Sequence, residues 1–230
     1  MEYQSINDTS IGRQKEKSLH LLLKKHLCPD ETKHEVKINN WIVDIFDNNI
    51  ITEVQTGNFH HLKSKLASLL LNYKVRIAYP MATEKIIHWE NPDTGEVTSR
   101  KSPKKAHPLR ICKELYFLRE FLNNPNLEIA IVPCKINEYR LLDGYARNKK
   151  KGATKVDQIP VHFDEVIALN KKEDYQKHLA HLPEKFSVKN FKSLMPLSPK
   201  EASLTIQVLK TVGAISMVEK AGRAYIYSLS

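Results

Sequence analysis

Residues 41–56 read WIVDIFDNNIITEVQT, and this stretch decides the fold that the sequence predicts. Apolar and polar residues alternate on both sides of Asn48-Asn49, which is typical of two β-strands joined by a tight turn. Asparagine tolerates the positive φ angles that a two-residue hairpin loop requires. We therefore predict a hairpin in which Asp47 pairs with Ile50.

Two carboxylates meet on one face of this predicted hairpin. Counting back from the turn places Asp44 directly opposite Glu53, where Cβ atoms are roughly 4.5–5.5 Å apart and like charges repel. Gln55 lies two residues after Glu53 and therefore on the same face. The apolar neighbours Ile42 and Phe46 indicate that this face is partly buried, which strengthens the repulsion. A bound cation or a shared proton would relieve it, so the pair is a candidate functional site.

The patterns outside the hairpin predict a mixed α/β domain in which helices flank one sheet. Helical periodicity marks residues 14–27, 59–73 and 111–123. Strand periodicity marks the three strands of residues 33–56, then residues 74–81 and 127–134. We expect residues 82–110, which contain a turn and a basic stretch, to be a loop-like excursion from the core, and the basic residues 146–158 to be a mobile loop or a domain margin.

The composition limits the classes of binding partner and the cellular compartments that the protein is expected to have. The chain has 230 residues and a formal net charge of +10, which favours a polyanion such as nucleic acid as the partner. Its three cysteines lie far apart with no Cys-x-x-Cys pair, so neither a disulfide framework nor a zinc ribbon is indicated. No apolar run reaches the ~18 residues of a membrane span, and the amino-terminal residues lack an apolar signal core. We therefore expect a cytoplasmic protein with no membrane partner.

A second candidate site lies near the carboxyl end. Residues 198–201, SPKE, combine a capping serine, a proline at the first helical position and a glutamate that completes a capping box. One face of the helix that follows is apolar and is predicted to be buried, with Ala202, Ile206, Leu209 and Val212 or Gly213. The opposite face carries side chains that can contact bases or phosphates, namely Ser203, Gln207 and Lys210.

A short helix capped by Ser187 precedes this helix, and a hairpin follows it. The hairpin spans residues 215–229, and we predict its turn at Ala221-Gly222 with Lys220 and Arg223 flanking the tip. This order resembles a winged helix-turn-helix. The resemblance implies a DNA-binding module whose longer helix enters the major groove while the hairpin follows a phosphate backbone. The DNA contacts that it implies are Lys200, Ser203, Gln207, Lys210, Lys220 and Arg223.

Asp44, followed after a gap of eight residues by Glu53-Val54-Gln55, resembles the active-site signature of the PD-(D/E)xK superfamily, the restriction-endonuclease-like nucleases. A helix before the strands, a helix after them and a further buried strand also match that family's core. The resemblance implies a Mg²⁺ ion held by Asp44 and Glu53, for which Mn²⁺ is expected to substitute. It further implies Glu16, on the first predicted helix, as a catalytic carboxylate.

Two positions depart from the family signature. Val43 replaces the motif proline, and Gln55 stands where the family usually has a lysine. Gln55 would orient the attacking water or complete the metal coordination through its carbonyl oxygen. Lys63 and Lys65, on the next predicted helix, would supply positive charge beside the scissile phosphate.

The sequence therefore predicts a restriction-endonuclease-like domain over residues 1–168 and a winged helix-turn-helix over residues 169–230. Its leading function is a Mg²⁺-dependent endonuclease that acts on DNA. Gln55 also favours a second hypothesis, a catalytically inert, nuclease-derived regulator that binds DNA. A third hypothesis makes the chain a subunit that docks its winged helix on a partner protein. The substrate structure and the formation of a homodimer stay open.

Overall fold

The computed structural model of the protein describes residues 18–144 and 152–230. Over these ranges the chain is a mixed α/β structure with a large mixed sheet, flanking helices and a small antiparallel sheet near the carboxyl end. This confirms the predicted α/β class. The longest helix in these ranges has 13 residues, and none is long and apolar enough to cross a bilayer, which takes about 20 residues.

The α-helices of the described ranges are α1 (Ser18–Leu27), α2 (Lys63–Leu69), α3 (Cys112–Leu115), α4 (Lys172–Gln176), α5 (Val188–Leu194) and α6 (Pro199–Thr211). Short 3₁₀ helices span Glu31–Lys33, Phe59–Leu62, Pro108–Ile111, Tyr116–Leu118 and Lys177–Leu179. The strands are β1 (His34–Ile38), β2 (Trp41–Asp47), β3 (Ile50–Val54), β4 (Lys74–Glu90), β5 (Val97–Lys101), β6 (Leu127–Leu141), β7 (Thr154–Phe163), β8 (Ile167–Ala168), β9 (Lys185–Ser187), β10 (Ile215–Ala221) and β11 (Ala224–Leu229).

The large sheet has the strand order β1-β2-β3-β4-β6-β7, with β5 paired to β4 and β8 paired to β6. Strands β1, β2 and β3 are consecutive and antiparallel, whereas β3 and β4 are parallel because α2 lies between them in the chain. The chain divides into two compact units. One unit contains Pro80–Ala106, Val132–Glu165 and the described part of Met1–Glu31. The other contains Thr32–Tyr79, His107–Ile131 and Val166–Ser230.

The hairpin of β2 and β3 has the register that the sequence predicts. Asn48 and Asn49 form the two-residue loop, and both have positive φ angles, 48° and 61°, as the turns of such tight hairpins require. The register pairs are Ile45 with Thr52, Phe46 with Ile51 and Asp47 with Ile50. On the inner face of the hairpin Val43 and Ile45 are buried, and Thr52, the partner of Ile45, is buried with them.

The apolar residues that the periodicity predicts for α2 and its two ends are buried. Leu62, Leu66, Leu69 and Leu70 are all buried. The first helix is observed as α1, and its predicted residues 14–17 lie outside the described ranges. Leu19 and Leu23 of the predicted apolar stripe are buried, while Leu22 and Leu27 are half-buried.

The prediction of a loop over residues 82–110 was wrong for its first part. Strand β4 continues to Glu90, turns through residues 91–96 and pairs with β5 in an antiparallel hairpin. Ile87 and Trp89 are buried on one side of this extension. The sequence gives a weak signal here because all five residues of β5 are exposed, and an exposed strand lacks the alternation that marks a half-buried one.

Three further boundaries differ from the predictions. Strand β6 runs to Leu141 rather than 134, and residues 154–158 belong to β7 rather than to a loop. The helix predicted over residues 111–123 is a shorter run of 3₁₀ and α turns over residues 108–118. Four of its buried apolar residues recur at every third position, which suits the three residues per turn of a 3₁₀ helix, namely Leu109, Cys112, Leu115 and Leu118, and Ile111 is buried as well.

The carboxyl-terminal elements follow the predicted order of short helix, long helix and hairpin. Ser187 and Asn190 form a capping box on α5, and Ser198 and Glu201 form one on α6. Strands β10 and β11 pair, and β11 also pairs with β9. The hairpin turn was predicted one residue too early, because Ala221 pairs with Ala224 and the loop is Gly222-Arg223. The boundary between residues 168 and 169 stays a prediction.

We expect the Asn48-Asn49 turn to tolerate glycine and to resist β-branched residues. Asn49→Gly should keep or slightly raise the free energy of unfolding, since glycine adopts positive φ without strain. Asn49→Val should lower it by roughly 1–2 kcal/mol, because the left-handed conformation is costly for a residue with a branched Cβ. Urea unfolding followed by circular dichroism measures both changes.

Asn72→Val is the matched control, because Asn72 is exposed and has no positive φ angle. Its effect should stay within about 0.5 kcal/mol. Equal losses for Asn49→Val and Asn72→Val would contradict the role of the turn.

Candidate functional site

The two predicted carboxylates lie next to each other on the hairpin of β2 and β3. The paired residues of β2 and β3 end at Ile45 with Thr52, and one further step along the same register places Asp44 opposite Glu53 on one face of the sheet. The backbone N–H of Val54 donates a hydrogen bond to Asp44 Oδ2 at 2.7 Å. This bond fixes the Asp44 carboxylate at the side of β3, next to Glu53.

Glu53 is an almost completely buried carboxylate, with 2% of its surface exposed. Burial and, to a smaller extent, the negative charge of Asp44 raise the pKa of Glu53, the Lys65 ammonium opposes both effects, and the resulting pKa is about 7. At neutral pH the protonated and the ionised forms of the Glu53 carboxyl are therefore both populated. A buried carboxylate beside a second one is costly, and the Lys65 ammonium offsets part of that cost.

Lys65 of α2 supplies a positive charge to this carboxyl group. Its Nζ atom lies 2.6 Å from Glu53 Oε1 and donates a hydrogen bond of 2.6 Å to the carbonyl oxygen of Ile42. The Glu53 carboxyl is therefore held in a short ion pair with Lys65, and the Asp44 backbone N–H also favours its ionised form.

Lys63, the other lysine predicted near the site, pairs with Glu120 and not with the carboxylates of the site. Residues two apart on a helix do not face the same way, and Lys63 pairs with Glu120 at 3.2 Å on an exposed part of the surface. The sequence could not choose between the two lysines. The structure brings Lys65 to the carboxylates and leaves Lys63 away from them.

Gln55 follows the last residue of β3 and is half-buried. Its backbone N–H donates to the carbonyl oxygen of Ala78 at 2.9 Å, which keeps it in line with the parallel pair of β3 and β4. Strand alternation then places its side chain on the face of Glu53. Glu16, the predicted third carboxylate, lies outside the described ranges.

The donor set around Asp44 and Glu53 fits a hard divalent cation. Mg²⁺ is commonly held by one or two carboxylates, with water and phosphate oxygens completing its coordination. Asp44, Glu53 and the Gln55 amide offer such oxygens, with the Lys65 ammonium 2.6 Å from Glu53 Oε1. Across residues 18–144 and 152–230, no group of three or more His, Cys, Asp or Glu side chains gathers around a metal position.

The surroundings of the carboxylates differ from the prediction in one respect. Ile42 was expected to be partly buried but is 60% exposed, so the face of β2 that carries Asp44 opens to solvent at this end. Asp47 points to the other face, as expected, and forms an ion pair with Lys33 at 2.7 Å. The site is therefore closed around Glu53 and accessible beside Asp44.

The second candidate site is built on α6. Ala202, Ile206 and Leu209 are buried as predicted, whereas Val212 and Gly213 are half-buried. Gln207 and Lys210 are exposed and Ser203 is half-buried on the other face. Lys200 is also exposed. The amide and ammonium groups of α6 are therefore available to a partner.

The polar face of α6 borders a groove of about 460 Å³. Ser203, Gln207 and Lys210 line it on one side, and Met217 and Tyr225 line it on the other. Sequence reasoning missed the two hairpin residues. Alternation of Tyr225 and Tyr227 along β11 was the signal that could have identified this face.

The two predicted basic residues of the hairpin lie at and beside its tip. Lys220 Nζ lies 5.7 Å from the centroid of the Tyr225 ring, a cation–π contact. Arg223 occupies the two-residue loop itself and is exposed.

We expect the raised pKa of Glu53 to appear in the pH dependence of stability. A carboxyl group whose pKa is higher in the folded chain stabilises the fold below its unfolded pKa of 4.5, and this contribution is lost as the pH rises through about 7. The difference corresponds to roughly 3 kcal/mol of unfolding free energy at most. Glu53→Gln should therefore flatten the stability profile between pH 4.5 and 7, as measured by urea unfolding at several pH values.

Glu128→Gln provides the control, because Glu128 is a partly exposed carboxylate paired with Arg76 in the same compact unit. That variant should keep the slope of the wild-type profile. An unchanged slope in Glu53→Gln would show that burial does not perturb this carboxyl group.

Of the three comparisons with known proteins, one gives a match. No curated protein and no solved structure matches the chain. Residues 17–170 match the model of a family described as "Domain of unknown function (DUF8091)". The matched range contains both carboxylates, Gln55 and the two lysines of α2, and it ends before the carboxyl-terminal helices. Because it spans about two thirds of the sequence, the chain belongs to the DUF8091 family.

Proposed function

We propose that this protein is a metal-dependent nuclease that hydrolyses phosphodiester bonds in DNA. The observation that carries the proposal is the cluster of Asp44, Glu53 and Lys65, in which a second carboxylate and an ammonium group lie against a carboxyl that is 2% exposed. Two carboxylates in a basic chain are suited to hold a divalent ion against a phosphate. A cytoplasmic location is part of the same proposal.

The order of elements supports this proposal. A helix, three antiparallel strands, a second helix and a strand parallel to the third follow each other as α1, β1, β2, β3, α2 and β4. This is the core that the restriction-endonuclease-like resemblance implies, with the first carboxylate on its second strand and the other on its third. The carboxyl-terminal order of helix, strand, two helices and hairpin likewise supports a winged helix that binds DNA.

Asp44 and Glu53 would hold the metal ion, which when bound supplies Lewis-acid stabilisation of charge on the phosphodiester. The Val54 N–H orients the Asp44 carboxylate. Glu53 must be ionised to act as a ligand, and the Lys65 ammonium favours that ionised form. Lys65 also brings to the site the positive charge that Gln55 does not carry. Gln55 would orient the attacking water through its amide.

One observation favours a second candidate function. The Lys65 ammonium lies against Glu53 and Gln55 is uncharged, so the site is internally neutralised to a large extent. A chain that binds DNA without cleaving it, as a regulator derived from a nuclease, is compatible with such a site. The two functions differ in metal binding and in cleavage.

We expect the wild-type protein to bind Mn²⁺ in calorimetric titration and to cleave plasmid or oligonucleotide DNA with Mg²⁺ or Mn²⁺. EDTA should stop the cleavage, and Asp44→Asn should remove both the binding and the cleavage. DNA binding without metal binding would favour the regulator instead. Cleavage that persists with EDTA and in Asp44→Asn would contradict the proposed site.

We further expect the two lysines of α2 to differ in their effect on cleavage. Lys65→Met should slow cleavage by roughly 10²–10³-fold, the usual cost of removing one charged or hydrogen-bonding group that stabilises a transition state. Lys63→Met should change the rate by no more than about twofold, because an exposed ion pair contributes little. Single-turnover rates measure both, and Lys65→Arg should retain part of the activity. Equal effects at the two positions would contradict the role of Lys65.

A further inference from the structure

The groove between α6 and the hairpin of β10 and β11 bears on whether the nucleic-acid partner is single-stranded or duplex. Its lining comes from three elements of one compact unit, namely α5, α6 and the hairpin. A volume of about 460 Å³ lies within the range of ligand pockets, about 300–1,000 Å³. A groove of this size accommodates a small planar group rather than a folded domain.

The lining of the groove is suited to an anion with an aromatic part. It contains one ammonium group, hydroxyl and amide side chains that both donate and accept, and apolar or aromatic surface, but no carboxylate: Val188, Ser203, Ile206, Gln207, Lys210, Met217, Tyr225 and Tyr227. Residues 169–230 carry ten lysines and arginines against five acidic residues, a net charge of +5. An anionic partner is therefore favoured over a cationic one.

The geometry of the hairpin brings its exposed apolar side chains to the groove. Met217 pairs with Tyr227, and Tyr225 lies two residues before Tyr227 on the same face of β11. Tyr225 is 46% exposed and Met217 is 53% exposed. An exposed tyrosine ring beside the Lys220 ammonium offers both stacking surface and positive charge.

The other side of α6 is occupied, so this is the face that α6 can present. Glu201 forms an ion pair with Arg110 at 3.2 Å, and the Thr205 hydroxyl donates to the Leu109 carbonyl oxygen at 3.4 Å. Asn123 donates to the carbonyl oxygen of Thr211 at 2.9 Å. These contacts hold α6 in place while its amide and ammonium groups face the hairpin.

We propose that this groove binds single-stranded nucleic acid, with an unpaired base stacked on Tyr225, its edge hydrogen-bonded to Gln207 and a phosphate beside Lys210. A base within a duplex has both faces covered by its neighbours, whereas an unpaired base can stack on an aromatic side chain. The inference rests on the proposed nucleic-acid partner but is independent of the metal and of cleavage. It assigns the protein a substrate with a single-stranded region.

Fluorescence anisotropy of the full chain in EDTA tests this inference, because no cleavage occurs without metal. A labelled mixed-sequence 20-nucleotide strand should bind more tightly than the same sequence as a duplex. Tyr225→Ala should weaken binding of the single strand about five- to 150-fold, the range expected for loss of one stacking ring. Tyr225→Phe should bind nearly as wild type, since the ring remains.

Phe117→Ala is the matched control, because it removes a 43% exposed aromatic ring that does not line the groove. Phe117→Ala should leave the affinity for the single strand unchanged. Lys210→Ala should make the slope of log affinity against log salt concentration shallower, by the amount expected for the loss of one phosphate contact. Circular dichroism establishes that each variant is folded. Equal or tighter binding of the duplex, equal effects of Tyr225→Ala and Phe117→Ala, or no binding of either oligonucleotide at low salt would overturn the inference. Cleavage assays with metal then report on the nuclease proposal separately.

Discussion

The two-residue turn at Asn48-Asn49 controls which side chains of β2 and β3 share a face. Side chains alternate with a period of two along each strand, so a loop one residue longer would move Glu53 to the opposite face from Asp44. Both asparagines adopt the left-handed conformation, which holds the loop at two residues. The proximity of the two carboxylates and the raised pKa of Glu53 both depend on this turn.

Lys65 then determines how the carboxylates behave. An isolated buried carboxylate is neutral at physiological pH because desolvation disfavours its charge, and a second carboxylate strengthens that tendency. The ammonium of Lys65 offsets part of both effects, so the pKa of Glu53 lies at about 7 rather than higher. The site is therefore poised between a protonated form and an ionised form that a metal can use. The hydrogen bond from Lys65 Nζ to the carbonyl oxygen of Ile42 holds the ammonium beside Glu53.

Local patterns were sufficient for the hairpin and for the capped helices, because their signals are contained in a few adjacent residues. The turn residues Asn48 and Asn49 and the capping box of Ser198 and Glu201 act within four residues of each other. The extension of β4 was missed because its partner β5 is polar and exposed along its whole length. The choice of Lys65 over Lys63 depends on the packing of α2 against the sheet, and no pattern within the helix contains that information.

Helix α6 has polar contacts on two sides, and this has a consequence for any shortened form of the protein. A chain cut before residue 169 would lose Glu201, leaving the Arg110 guanidinium without its carboxylate, and would uncover the apolar side of residues 108–118. Such a fragment would expose apolar surface and would be prone to aggregate. The packing of residues 108–118 therefore depends on α6, and a fragment that ends before residue 169 should be less stable than the intact chain.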